Sequence, residues 1–424
     1  MVVSMRFQPR ERLWKSSILV IWSLVIQFLL VGKFIDNNVV NNYQPTAADA
    51  RDYFRLAELW RSSGFESAFE SGMRVPGYPA LVYVFQSIFV ENAPLFLRIF
   101  QMLFLALSQI VVLKTLEHFC SKKLSLILTA AFPILPLWHF VPILTAELLI
   151  AVSFITLTYL LIKLNSGTVK NSQVLTVSAL TAWTVYLKPN SMLLIGSVLL
   201  FMYFRKSSSK WKDVIKCLSI FLLLLSPWLV FMQYSQNTIS LTTGAGINLL
   251  IGTGRDVEPD GTILAQSAKK CNVMDRFNPA NELSSPEGLT FSQVNSLHTQ
   301  RAISLWKNSL FNHTCFGLQK VLIAFGGKAN SKLDLVYGVI SGSSILISIL
   351  LLFSRRLKSI GFYFTSLLFL LAVQAFFFQV DRRFTVPFVL PMFIVCIGII
   401  VGQIKVWRLP DVPLIKKFVD WRNL

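Results

Sequence analysis

The stretch Gly77-Tyr-Pro-Ala-Leu-Val-Tyr-Val-Phe-Gln-Ser-Ile-Phe-Val90 decides how the whole chain is laid out. Its apolar part, Tyr78 to Val90, is about thirteen residues long, whereas a membrane-crossing helix needs about twenty. If it does not cross, the basic clusters fall on one side together: Lys122-Lys123, Lys163 with Lys170, the run Arg205 to Lys216, Arg355-Arg356 with Lys358, and the basic C-terminus. The same side then holds Arg6, Arg10, Arg12 and Lys15. If it does cross, nearly every cluster flips to the outside. Lysine and arginine are enriched in cytoplasmic loops, so the stretch is read as a half-buried or interfacial helix, with both termini cytoplasmic.

The rest of the sequence is that of a membrane protein. Of 424 residues 54% are hydrophobic and only 14% charged, although 40 Lys and Arg against 21 Asp and Glu leave a formal net charge of +19. A soluble chain would carry about a quarter charged residues and would not reach a mean hydropathy of +0.59. The positive charge sits in short clusters between apolar runs rather than on one polar domain, which argues against a nucleic-acid partner.

About ten runs approach spanning length: Ser16 to Ile35, Leu95 to Leu113, Leu124 to Phe140, Ile143 to Leu164, Val174 to Leu187, Ser191 to Phe204, Val214 to Tyr234, Leu335 to Phe353, Gly361 to Val380 and Phe384 to Val401. The first follows four basic residues, and Val31-Gly32-Lys33-Phe34 offers no small-x-small cleavage site, so it is expected to be an uncleaved anchor. The fold expected is all-α and polytopic. A transmembrane module with its first external loop occupies residues 1–234, a long external loop 235–332, and further spans with a cytoplasmic tail 333–424. No repeat or low-complexity tract is visible.

This parity places outside the segment Asp36 to Gly77, the corner His139 to Glu147, the corner Lys188-Pro189-Asn190 and the loop Ser235 to Lys332. The first loop has a capping-box-like start, Thr46-Ala-Ala-Asp49, then Tyr53, Leu56, Ala57 and Trp60 at helical spacing and Gly64 as a stop. It reads as an amphipathic helix on the outer membrane surface. A second such helix is expected near Phe291 to Phe311. Cys271 and Cys315 lie in one external stretch and can pair there, or remain two unrelated thiols.

The residues of chemical interest all lie on this face. Asp49 opens the surface helix with Asp52 and Tyr53 three and four residues on, near its face; alone, it reads equally as an acid favoured by the helix dipole. Arg74-Val-Pro76-Gly77-Tyr78-Pro79 delivers the chain into the short helix. Glu147 begins an otherwise apolar span, where an acid is either solvated or functional. Lys188 and the pair in Asp381-Arg382-Arg383 are cations on the side where such residues are disfavoured. That placement points to an anionic ligand, and arginine suits phosphate oxygens.

In order, Asp49-Ala-Arg-Asp-Tyr53-Phe-Arg-Leu-Ala57, Arg74-Val-Pro-Gly-Tyr-Pro79, Leu97-Arg98-Ile-Phe-Gln101, Leu144-Thr-Ala-Glu147 and Lys188-Pro189 resemble the bacterial GT-C glycosyltransferases. These are the integral-membrane relatives of protein O-mannosyltransferases and the lipid A aminoarabinose transferase. Ser226-Pro-Trp228 leading to Thr243-Gly-Ala-Gly-Ile-Asn248, Arg301-Ala302 before Trp306, and Asp381-Arg-Arg-Phe384 with Pro387 continue the likeness in order. It implies a polyprenyl-phosphate-linked sugar donor, Asp49 as catalytic residue, and cations holding the donor phosphate. Asp52, Tyr53, Arg74, Tyr78, Glu147, Lys188, Arg382 and Arg383 would bind substrate. The acceptor would be an envelope glycan, lipid or protein at the outer face of the cell (inner) membrane, reached by a single, inverting displacement. Ala50 stands where the mannosyl and aminoarabinosyl enzymes often have Glu, which leaves sugar and acceptor open. Metal dependence varies in the superfamily, and four histidines without a close His/Asp pair support no metal or other cofactor.

Two other classes fit a basic polytopic chain. A transporter or lipid-linked-sugar flippase should place polar residues at mid-membrane on broken helices, and a non-catalytic envelope-assembly subunit needs no acids and cations gathered on one face. The topology is open to a direct check. With a membrane-impermeant thiol reagent, an introduced Ser285→Cys should label from outside and Ser208→Cys should not; the reverse pattern overturns the parity.

Overall fold

The computed structural model describes residues 9–38, 48–165, 170–205, 210–255, 263–273, 288–326, 332–354, 356–378 and 384–403, and among these every regular element is a helix. In chain order they are α1 (Pro9–Asn38), α2 (Ala48–Phe69), α3 (Gly77–Phe89), α4 (Ala93–Leu116), α5 (Lys122–Ala131), the single turn α6 (Phe140–Ile143), α7 (Glu147–Asn165), α8 (Asn171–Leu187), α9 (Leu193–Phe204), α10 (Lys210–Gln236), α11 (Ala245–Leu250), α12 (Ile263–Lys270), α13 (Phe291–Asn308), α14 (Leu310–Ala324), α15 (Lys332–Leu352), α16 (Lys358–Phe377) and α17 (Val386–Gln403).

Seven stretches among the described residues are long and apolar enough to cross a membrane: Trp14–Val31, Gly77–Leu116, Lys122–Ile143, Glu147–Asn165, Lys210–Gln236, Leu335–Leu352 and Lys358–Phe377. Pro189–Phe204 and Val386–Gly402 are apolar but shorter, and α8 has 17 residues. α7 forms the centre. It is apolar all round and buried along most of its length, as a helix must be that meets protein on every side, and it packs against α4, α8 and α17. The outer helices expose large apolar side chains, among them Ile21 and Phe28 of α1, Leu223 and Val230 of α10, and Leu346 of α15. Contiguous apolar surface of this kind is the lipid-facing surface of a membrane protein. One core cluster joins residues from both ends of the chain, from Val31 to Ile399.

Prolines and glycines set the breaks. Pro133, Pro136 and Pro142 divide the stretch after α5 into short turns, because proline removes an N–H and clashes with the preceding turn. Gly64 takes φ +89° inside α2 and kinks it at the expected stop; the Thr46 cap lies outside the described residues. α3, about 20 Å long at 1.5 Å per residue, runs antiparallel to the first part of α4. Phe89 stacks on Phe96 and Phe85 packs on Phe100, with ring centroids 3.9 and 5.5 Å apart, and Tyr78 at the start of α3 meets Gln101. α3 thus reaches along α4 only as far as Gln101.

One expectation is corrected. The apolar face of α2 is covered by protein rather than laid on lipid: Tyr53, Leu56 and Ala57 are buried, and Trp60 stacks on Tyr83 of α3 at 4.8 Å. Helical periodicity reports an apolar face without saying what covers it. The second surface helix exists as α13 but ends at Asn308, where Ser309 (φ −147°, ψ 53°) starts α14. Cys271 and Cys315 form a disulfide, tying the end of α12 to α14, and Cys120, Cys217 and Cys396 are free thiols.

The α3–α8 contact fixes where the first loop meets the bundle, and it depends on Gly77. A Cβ there would lie 2.4 Å from the Tyr186 carbonyl oxygen, a backbone atom that cannot swing away. Gly77→Ala should therefore destabilise by about 1–3 kcal/mol through overpacking. Thermal unfolding in detergent tests this: Gly77→Ala should melt lower than wild type, whereas Gly342→Ala, with open space around it, should not.

Candidate functional site

Four segments bring charged side chains to one end of the bundle. Asp49 sits in the first turn of α2, where partial positive charge on unpaired N–H groups favours an acid. Lys188 ends α8. Pro189 disfavours helical geometry in the residue before it, so Lys188 is extended (φ −160°, ψ 126°) with its N–H still on Thr184 O. Glu147 begins α7 after a sharp reversal in which Leu144 adopts a left-handed conformation (φ 53°, ψ 51°). That conformation costs a β-carbon-bearing residue roughly 1–2 kcal/mol, and it persists where surrounding contacts over-determine it.

Arg74 lies on the loop between α2 and α3, which a second loop straps down. Thr243 N–H donates to Gly72 O at 3.0 Å, Thr243 Oγ1 to Ser71 O at 2.6 Å, and Thr242 Oγ1 to Met73 O at 2.7 Å. Gln236 Nε2 donates to Glu70 O. Glycine suits Gly72 at this crossing because φ is +61°, a left-handed conformation that L side chains rarely adopt.

The charges form one chain. Arg74 Nη2 donates to Asp49 Oδ1 at 2.6 Å and to Asp52 Oδ2 at 2.9 Å. Lys188 Nζ donates to Glu147 Oε1 at 2.5 Å and lies 3.9 Å from Asp49 Oδ2, an ion-pair distance too long for a hydrogen bond. Glu147 is 1% exposed, Asp49 7% and Lys188 8%. Rings enclose the cations: the Phe384 centroid is 4.5 Å from Lys188 Nζ and the Tyr53 centroid 5.6 Å from Arg74 Cζ. Tyr53 packs on Tyr78 at 4.8 Å. Behind them, Gln101 Nε2 donates to Tyr78 Oη at 2.9 Å and to Thr145 O at 3.2 Å, and Arg98 Nε to Pro142 O at 3.3 Å.

Seven of the residues singled out from sequence thus meet in one place: Asp49, Asp52, Tyr53, Arg74, Tyr78, Glu147 and Lys188. Arg382 and Arg383 lie outside the described residues. Gln101 and Phe384 are also part of the site; both stand in motifs of the resemblance, residues 97–101 and 381–384, but neither is singled out there as a site residue, since an amide and a phenylalanine are ordinary within apolar helices. Burial by itself would lower the Arg74 pKa, but Tyr53, Asp49 and Asp52 outweigh it and hold the guanidinium above its ordinary value. Among the described residues no three His, Cys, Asp or Glu side chains are grouped to hold a metal ion. A carboxylate has about four lone-pair sites, so Arg74 does not exhaust Asp49. The site can orient a carboxylate, accept a proton on it, and present the partly exposed Arg74 to an anion.

Compared with known proteins, the chain matches no family model and no curated sequence.

The Lys188–Glu147 pair makes a stability prediction. Removing one partner of a buried ion pair leaves an uncompensated charge, at about 3–5 kcal/mol, whereas an apolar replacement of both is often tolerated. Lys188→Met should therefore lower the thermal unfolding midpoint strongly, and adding Glu147→Leu should raise it again. A single Lys188→Met protein as stable as wild type would show that the pair is not desolvated.

Proposed function

We propose that this chain is an integral-membrane glycosyltransferase of the GT-C type, transferring a sugar from a polyprenyl-phosphate donor to an envelope glycan, lipid or protein acceptor. The observation that carries the reading is the meeting of Asp49, Arg74, Glu147 and Lys188 from four separate segments. Acids and bases buried at this density are costly in an apolar bundle and mark function rather than stability. The reading includes about ten spans in the cell (inner) membrane, cytoplasmic termini, and the site at the outer face. The gathering of the charges at one end of the bundle favours a reaction at a surface over a transport path at mid-membrane.

In the mechanism proposed, an acceptor hydroxyl attacks the anomeric carbon of the sugar and the bond to the lipid phosphate breaks. Asp49 takes the hydroxyl proton, oriented by Arg74 on Oδ1. The leaving phosphate passes from a diester with one negative charge to a monoester approaching two. A cation beside it therefore binds the transition state more tightly than the ground state. Arg74 is the more exposed cation of the charge chain, its side chain 30% accessible against 10% for Lys188, and is assigned to the phosphate with Arg382 and Arg383. Lys188, bonded to Glu147 and facing Asp49, is assigned to holding the two acids. Tyr53 and Tyr78, both buried and packed on each other, back the charge chain and fix Arg74 in place.

The test is transfer from a radiolabelled polyprenyl-phosphate sugar to envelope material, with mass spectrometry of envelope glycans from cells with and without the gene to identify the product. Asp49→Asn keeps the shape and a hydrogen bond but cannot take a proton, and should lose transfer by at least about a hundred-fold, while Asp52→Asn retains most of it. Arg74→Lys keeps the charge but loses the planar guanidinium, whose Nη2 alone holds both aspartates and whose other N–H groups are assigned to the phosphate, at about 1.5–3 kcal/mol or roughly ten- to a hundred-fold in rate. Full activity in Asp49→Asn would end the catalytic assignment, and unchanged envelope glycans in the deletion strain would end the glycosyltransferase reading.

A further inference from the structure

Lys320 is 1% exposed, in the middle of α14, and no proposed step uses it. Its polar contacts among the described residues are two backbone carbonyls: Nζ donates to Gly252 O at 2.5 Å and to Phe378 O at 2.9 Å, with the Phe316 ring 5.3 Å away. Burying an amine without a carboxylate is costly, and a methionine of similar length would fill the space without that cost. What a methionine cannot do is donate. The Phe378 carbonyl lies just beyond the end of α16, where the last carbonyls of a helix have no partner within it. Gly252 touches the same backbone, since a Cβ there would lie 2.3 Å from Phe377 O. Burial pushes the amine down to about 7, and an uncharged amine still has two N–H donors, one for each carbonyl.

One helical turn beyond Lys320, on the same face of α14, the Ala324 carbonyl accepts from Thr385 Oγ1 at 2.7 Å, and Tyr337 Oη lies 2.7 Å from the same hydroxyl. α14 therefore holds both the end of α16, at Phe378, and the start of α17, at Thr385. Phe384, adjacent to Thr385, covers Lys188 Nζ. We propose that Lys320 is a positioning residue: by fixing α14 against Gly252 and Phe378 it keeps the Ala324 carbonyl where it holds Thr385, and with Thr385 the adjacent Phe384 over Lys188, so that the Lys188–Glu147 pair stays shielded from water. The clamp matters to transfer only through the reading of Lys188 given above, but its geometry can be measured without any substrate.

The readout is acetylation of Lys188 by a water-soluble N-hydroxysuccinimide ester, followed by peptide mass spectrometry on the full-length protein in detergent, with exposed Lys212 as the internal control. Lys320→Met should raise the Lys188 rate about five-fold or more, the effect of losing one ordinary contact on a local opening, without changing Lys212. Lys320→Gln, which keeps two amide N–H donors, should restore most of the protection. Phe384→Leu should give the same rise as Lys320→Met, and the double variant no more than either, because both remove one cover. A Lys188 rate unchanged in Lys320→Met, or rises that multiply in the double variant, would overturn the proposal, since Lys320 would then be a local packing residue. If Lys320→Met does not fold, Thr385→Val, which releases the hold on the start of α17, carries the same expectation and the same refutation. A protein that shows the labelling pattern yet transfers no sugar would keep the clamp and lose the glycosyltransferase reading.

Discussion

A lysine and a glutamate share a hydrogen bond 2.5 Å long at the end of an apolar bundle, and much of the local architecture follows from keeping that pair dry and balanced. Each charge alone would cost several kcal/mol in this setting, so Lys188 and Glu147 must arrive together although forty-one residues separate them. The backbone devices around them serve that arrival. Pro189 turns Lys188 out of the helical line, the left-handed Leu144 reverses the chain before Glu147, and Gly77 lets α3 pass against Tyr186, two residues before Lys188. Asp49 extends the chain of charges, and Arg74 closes it with the aid of the strap from Thr242 and Thr243.

What sequence made legible was misfit. Glu147 in an apolar span, and Lys188 on the side that disfavours cations, both stand out against simple rules of solvation and topology, and both lie in the site. Asp49 and Arg74 were weaker signals singly and became persuasive through their order along the chain. The residues whose part in the site sequence did not single out are those that look ordinary one by one. Gln101 and Phe384 stand in quoted motifs, but the first is one polar side chain in an apolar helix and the second one of 35 phenylalanines, and Lys320 reads as a loop lysine until its burial is known.

The fold shows the same division. The apolar runs lie on helices, and Gly64 kinks α2 where a stop was expected, because local steric rules act on neighbouring residues alone. The covering of α2 was misread for the complementary reason. Tyr53, Leu56, Ala57 and Trp60 repeat with helical period whether lipid or α3 lies opposite, and only tertiary contact distinguishes the two. Cys271 and Cys315 are likewise forty-four residues apart in sequence, and their pairing follows from the docking of α12 on α14.

In the transferase reading the balance of charge in the site has a mechanistic consequence. Three cations, Arg74, Lys188 and the buried Arg98 behind them, face three carboxylates, Asp49, Asp52 and Glu147, so the charges of the described site balance. A balanced site offers an anionic phosphate little net attraction unless further cations approach with it, and Arg382 and Arg383 immediately precede the Phe384 that touches Lys188. Once attack begins, the balance shifts in the reaction's favour. As Asp49 takes the acceptor's proton it ceases to be an anion, and Arg74, 2.6 Å away, loses one of its two partners just as the departing phosphate gains negative charge. The same guanidinium is then a stronger anion ligand in the transition state than in the ground state, which is the condition for a charge to lower a barrier rather than merely tighten binding.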